Sequence, residues 1–192
     1  SIGRGGTDLY QALGGLFQAL SMPSNSLLLS KIRLHFIGTS YASRGMGTPS
    51  IQPLAEQYGL NHVVSEQTDR IPLSLALATI NSADALLVIG SNDTSYTASK
   101  LLPYLLARRP LLAIMNRSSS VNDIINECSG GICINFDKST SQGKLASDIN
   151  TNWIRNLQYK QIVPLDEEKF AAYTARFQAS TLLSFFSSCL AC

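Results

Sequence analysis

Residues 85–89, Ala-Leu-Leu-Val-Ile, and 110–115, Pro-Leu-Leu-Ala-Ile-Met, contain no polar side chain. A strand with one wet face alternates apolar and polar residues, so an unbroken apolar run describes a strand covered on both faces. That is the usual condition of a parallel sheet with helices above and below. Parallel neighbours need a crossover of about a dozen residues or more. The stretch between the two runs supplies one: a polar loop at 91–97, then an amphipathic segment carrying Leu101, Leu102, Leu105 and Leu106.

The same alternation runs along the rest of the chain. Leu9, Leu13, Leu16, Phe17 and Leu20 recur at helical spacing, with Thr7 or Asp8 placed to cap the helix start and Met22-Pro23 to end it. Residues 31–38 alternate Ile32, Leu34 and Phe36 and end at Gly38, as a strand entering a turn does. A helix is predicted over 51–58, closed by Gly59, and a short strand over 60–66. Pro72 starts a helix with Leu73, Leu77 and Ile80 on one face. Residues 118–127 read as a capped helix, 130–136 as the last strand, and 144–157 as a helix holding Trp153. One long helical pattern follows over 166–190. The order is that of an α/β fold with a parallel sheet.

At 192 residues the chain fits one domain, taken here as 1–192. Charged residues are only 15% and the net charge is +2, without a basic run or interleaved aromatics, which argues against a nucleic-acid partner. No apolar span reaches the roughly 18 residues a transmembrane segment needs, and the start lacks a signal-peptide pattern. The expected location is the cytoplasm, with peripheral membrane association left open for a full-length protein. Of Cys128, Cys133, Cys189 and Cys192, only the last two have a metal-site gap, and His35 and His62 fall in strand-like segments. No metal, cofactor or disulfide framework is expected.

Three loops follow strands, where ligands of open parallel sheets bind. The first, residues 2–8, combines Gly3, Gly5 and Gly6 with Arg4 ahead of a helix start, either an anion seat or an ordinary turn. The second, 37–47, carries Arg44 and reads as a solvated excursion. In the third, Thr97, Ala98 and Ser99 fall at the predicted helix start, and Lys100 lies in its first turn. A cation there opposes the helix dipole by about 0.3–1 kcal/mol unless an anion neutralises it; the alternative is a lysine extended into water.

As an ordered set, the segments at 83–114, 118–125 and 130–136, preceded by the glycine turn, 34–38 and 62–88, resemble the C-terminal, donor-binding half of GT-B glycosyltransferases of the group 1 or family 4 kind. The likeness covers about residues 1–136. It implies a Rossmann-like parallel sheet flanked by helices, with the first strand truncated here because the sequence opens on the glycine turn. It also implies a nucleotide diphosphate sugar as substrate, an N-terminal domain of the same protein holding an unknown acceptor, and residues 166–192 as a helix packing on that domain.

In such enzymes an arginine and a lysine grip the diphosphate. Arg4 matches the first, the usual Lys-Gly position reads Gly6-Thr7-Asp8, and Lys100 is the expected substitute. Many relatives carry two glutamates around the donor helix, and the equivalent positions here are Ser95 and Pro103. Ribose recognition then falls to Asp93, Tyr104 or the loop of Ser118, Ser119 and Ser120. A half-domain without those carboxylates is also compatible with a non-catalytic interaction module, and the fold is shared by sugar-nucleotide 2-epimerases.

Overall fold

The computed structural model describes residues 1–190. The Cys189 and Cys192 pairing considered above therefore has one member, Cys192, outside the described residues. Among those described, no group of side chains is arranged to hold a metal, and no helix is long and apolar enough to cross a membrane.

After a 3-10 turn at Thr7–Leu9 the chain forms α1 (Tyr10–Leu20), a short α2 (Ser26–Leu29), β1 (Leu34–Ile37), α3 (Gln52–Gln57), β2 (Val64–Gln67), α4 (Leu73–Ser82) and β3 (Leu86–Ile89). Then come α5 (Leu101–Leu106), β4 (Leu111–Asn116), α6 (Val121–Glu127), β5 (Ile132–Phe136) and α7 (Gln142–Ile149), which runs on into a π-helical turn, Asn150–Arg155. The chain closes with α8 (Glu167–Ala171) and α9 (Ala175–Leu190). The expected long helix over 166–190 is thus two helices. Asp166 caps the first by accepting from the Lys169 amide at 3.0 Å, and a turn at 172–174 separates them.

Every strand pairing is parallel, as the apolar runs predict, and the fold is Rossmann-like. The strands form two sheets, however: β1 beside β2, and β3, β4, β5 in that order. Ser1, Ile2 and Gly3 run parallel beside β1, with an isolated bridge from Ile2 to Ile37 and no bridge to β3, and are tied to α5 through Tyr104 and through Lys100, the residue preceding the helix.

All six residues of β4 are buried, and they divide by pleat. Leu112 and Ile114 join the cluster beneath α1 and α7, whereas Leu111, Ala113 and Met115 join the one beneath α5 and α6. The first cluster also contains Leu34 and Phe36 of β1, so one apolar layer spans both sheets. α1 meets α7 at Gly14 and Gly15. A Cβ on Gly14 would lie 1.6 Å from Gln142 Nε2, and one on Gly15 2.6 Å from Leu145 Cδ2. Glycine inside a helix costs roughly 1 kcal/mol relative to alanine, offset here by the close approach it permits.

Leu9, Leu13, Leu16, Phe17 and Leu20 are all buried, as their spacing predicts. The expected caps differ: neither Thr7 nor Asp8 caps α1, because the 3-10 turn precedes it and Asp8 is engaged elsewhere. On α4 only Ile80 is buried, while Leu73 is 74% and Leu77 40% exposed. His62 lies in an exposed turn before β2 and not in a strand.

Candidate functional site

The carboxyl ends of the parallel strands bring three loops together. The first begins where Gly3 leaves β1: its amide donates to Ile37 O at 2.9 Å, and the Gly5 amide donates to Thr39 O at 2.8 Å. Gly3 has φ +128° and Gly6 φ +144°, which only glycine adopts without strain. This geometry turns Arg4 back onto Asp8. Its two terminal nitrogens donate to the two carboxylate oxygens at 2.9 and 2.6 Å, and its guanidinium lies 5.0 Å from the centroid of the Tyr96 ring. The hydrogen bond to Asp8 raises the Arg4 pKa, and that bond, assisted by one from Ser91 Oγ, lowers the Asp8 carboxyl.

Lys100 approaches the same loop from the other side. Its Nζ donates to Ser1 Oγ at 3.1 Å and would lie 3.5 Å from a Cβ on Gly3. Enclosure by protein, with Arg4 as a second cause, brings its pKa down to about 8. A Cβ on Gly6 would lie 3.4 Å from Arg4 Nη1, so the two cations border neighbouring glycines of one loop.

The loop from 90 to 100 is built by local hydrogen bonds. Asp93 Oδ1 accepts from the Ser95 amide and hydroxyl at 2.9 and 2.7 Å, which holds its carboxyl below the usual range. The Asp93 amide donates to Ser91 Oγ at 3.0 Å, and the Asn92 amide to Asp8 O at 2.9 Å, so this loop is tied to the first. Thr97 Oγ1 lies 3.2 Å from Ser120 Oγ, and Ser119 Oγ donates to Tyr96 O at 3.2 Å, joining it to the loop between β4 and α6, residues 117–120. There the Ser118 amide donates to Asn116 Oδ1, and Ser119 Oγ accepts from the Val121 amide at the start of α6.

Two expectations change. α5 begins at Leu101, so Thr97, Ala98 and Ser99 precede the helix and Lys100 is its N-cap residue. The turn bonding Leu101 N to Ala98 O, with Ala98 buried, delays the helix past the apolar pattern's start. Tyr104 is 1% exposed and its hydroxyl accepts the Ile2 amide at 2.7 Å, so it belongs to the floor beneath the loops and is not placed to meet ribose. Sequence reasoning missed Asp8, Ser91 and Tyr96 as the immediate surroundings of Arg4. The four-residue spacing of Arg4 and Asp8 was visible, but the intervening glycines read as a turn and not as an ion pair. Arg44 is exposed in its loop, as expected.

The geometry can do two things: present two neighbouring cations at strand ends, and offer a solvent-facing carboxylate, Asp93, and hydroxyls, Thr97 and Ser120, around them. The fold carrying it has a counterpart among solved structures. The chain is similar to WaaG, a glycosyltransferase involved in lipopolysaccharide biosynthesis, with a TM-score of 0.58 and 19% identity, over 83% of this chain and 39% of that one. The likeness identifies the fold as that of a GT-B half-domain, and the chain spans well under half of that enzyme's length. No protein-family model and no curated protein matches the sequence.

Proposed function

We propose that this chain is the donor-binding half of a glycosyltransferase, holding a nucleotide diphosphate sugar at the rim formed by its three loops. The observation that carries this reading is the convergence of Arg4 and Lys100 on one glycine loop, with Lys100 Nζ beside Gly3, Arg4 Nη1 beside Gly6, and the charge of Arg4 acting on Lys100. A diphosphate there offsets the mutual repulsion of the two cations that helps depress Lys100.

Arg4 already holds Asp8 with both nitrogens, so the diphosphate takes a share of a guanidinium whose remaining donors are open, or displaces the carboxylate. As the glycosidic bond breaks, charge builds on the departing diphosphate. Arg4, Lys100 and the amides of Thr97, Ala98 and Ser99 stabilise it electrostatically. Asp93, with Ser118, Ser119 and Ser120 nearby, is the candidate ribose acceptor in place of the absent glutamates. The acceptor and its base belong to an N-terminal domain of the same protein, and α9 is the element that packs on it. α9 has no buried residue, and Phe177, Leu182, Leu183, Phe185 and Phe186 stand exposed along it.

Calorimetric titration with UDP, GDP and ADP tests the reading. Binding of at least one nucleotide is expected, weakened about tenfold or more by Lys100→Ala and by Arg4→Ala. Affinity should also fall as pH rises from 7 to 9, because Lys100 loses its proton around pH 8 and only the charged form attracts the diphosphate. No binding to any of the three nucleotides overturns it.

A second reading, a non-catalytic interaction module, is favoured by one observation: both cations already have partners within the fold, Asp8 for Arg4 and Ser1 for Lys100. The same titration separates the two readings.

A further inference from the structure

The glycine loop and the loop of residues 90–100 are joined through one side chain. Asp8 stands in the 3-10 turn Thr7–Leu9, directly ahead of α1, where Leu9 and Leu13 are buried. Its backbone is therefore anchored to the core, whereas Arg4 reaches it on a long stem with many rotamers. Oδ1 of Asp8 accepts from Arg4 Nη1 at 2.9 Å, and Oδ2 accepts from Arg4 Nη2 at 2.6 Å and from Ser91 Oγ at 2.5 Å. The loop is shaped around the pair, since a Cβ on Gly6 would lie 2.7 Å from Asp8 Oδ1. An ion pair near the surface ordinarily stabilises little. This one differs in taking a further bond from Ser91, which is 1% exposed.

The pair decides which part of Arg4 faces a ligand. A guanidinium carries five N–H donors in one plane. Asp8 takes one from each terminal nitrogen, which fills the end of the fork. Nε and the second proton of Nη2 are left as a side edge that can hold two phosphate oxygens. The Tyr96 ring, 5.0 Å from the guanidinium carbon, limits rotation of that edge. A phosphate can thus bind Arg4 with the Asp8 carboxylate still in place.

Toward the other loop the same carboxylate acts through Ser91. The bond from Arg4 lowers the Asp8 carboxyl, so at neutral pH it is an acceptor only. The single proton of the Ser91 hydroxyl then goes to Asp8, and its lone pair accepts the Asp93 amide at 3.0 Å. The Asn92 amide adds a second tie, to Asp8 O at 2.9 Å. Beyond it, the Asp93 carboxylate is fixed by the amide and hydroxyl of Ser95. One line of bonds therefore runs from the guanidinium of Arg4 to the backbone of Asp93.

We propose that Asp8 is a positioning residue, which holds Arg4 with one guanidinium edge toward the ligand and, through Ser91, sets the spacing between that edge and Asp93. A nucleoside diphosphate spans this spacing from phosphate to ribose. That use of the clasp rests on the donor reading. The clasp itself does not, and the two are read apart by measuring it without ligand.

The test compares the unaltered chain with Asp8→Asn and Ser91→Ala. Each is titrated with inorganic pyrophosphate and with UDP, GDP and ADP, and exchange of the Asp93 amide is followed in the absence of ligand. Asp8→Asn leaves the rim one charge more positive, so attraction alone would tighten pyrophosphate. With Arg4 no longer oriented, pyrophosphate and the nucleotide bound by the unaltered chain are instead expected to weaken about fivefold or more. Ser91→Ala keeps the ion pair and frees the other loop, so the nucleotide is expected to weaken about fivefold or more and pyrophosphate to stay within about twofold. In both variants the Asp93 amide is expected to exchange about threefold faster or more. The proposal is overturned if Asp8→Asn binds pyrophosphate as tightly as the unaltered chain, if Ser91→Ala changes pyrophosphate and nucleotide by the same factor, or if neither variant alters exchange at Asp93. Absence of all binding by the unaltered chain overturns the donor reading, and faster Asp93 exchange in both variants then still upholds the clasp.

Discussion

The two sheets are made of similar residues and differ in what surrounds them. β4 has a hydrogen-bonded neighbour on each side and every residue buried, whereas β1 alternates buried Leu34 and Phe36 with exposed His35 and half-buried Ile37. β1 has one full neighbour and, on its other edge, three residues followed by a cavity. The comparison teaches that an apolar strand sequence sets a capacity for burial, and that the neighbours decide whether that capacity is used.

The difference breaks most visibly in core truncations. Ile114→Ala in β4, with no exposure to lose, is expected to cost about 3–5 kcal/mol, against about 1 kcal/mol for Leu87→Ala beside the cavity, as read from urea unfolding. Equal costs would mean the gap is as well packed as the three-stranded sheet. Gly90→Ala follows in size. The new Cβ would meet Ile114 O at 2.7 Å and Met115 Cα at 2.8 Å, both backbone, so β3 must shift from β4 at a cost of roughly 1–3 kcal/mol in the same measurement.

On the two-stranded side, Glu66→Ala should cost about 1–2 kcal/mol. The carboxylate at the end of β2 accepts from the amides of Ser50, Ile51 and Gln52 at the start of α3 and from Thr39 Oγ1. A loss of that size without change in exchange at β4 amides would show the two sheets resisting unfolding separately.

The smallest effect is one of pH at the seam. In a 192-residue chain prepared with Ser1 as its first residue, the folded state holds the Ser1 amine at a pKa of about 5 against 8.0 when unfolded, so between those values the unfolded chain binds more protons. Stability is therefore expected to rise as pH increases from 5 to 8. N-terminal acetylation, which removes the titrating group, should flatten this part of the profile of urea midpoints.

The position of the candidate site's loops was legible before the structure. The glycines around Arg4 and the polar loop ahead of Lys100 both marked strand ends, because polar loops after apolar runs in a parallel sheet gather on one side. What they touch was not legible. The pairing of Arg4 with Asp8 depends on the left-handed sweep at Gly3 and Gly6, and the tie between Thr97 and Ser120 joins residues from separate crossovers. Tyr104 looked available for ribose because a tyrosine within an amphipathic helix declares an apolar ring, not where its hydroxyl ends. Only the approach of Ile2 shows that the hydroxyl is used within the core.

By itself the sequence determined the kind and order of elements, since strand and helix differ in the period at which apolar residues recur, and that period is local. It also determined that the strands would be parallel, because runs such as 110–115 have no polar face to expose. Tertiary structure decided that the sheet is divided, that α5 starts at Leu101, and that two cations from distant segments border one glycine loop. Those outcomes depend on hydrogen-bond edges and charges brought together across the chain, and a linear pattern of hydrophobicity carries no record of which edges meet.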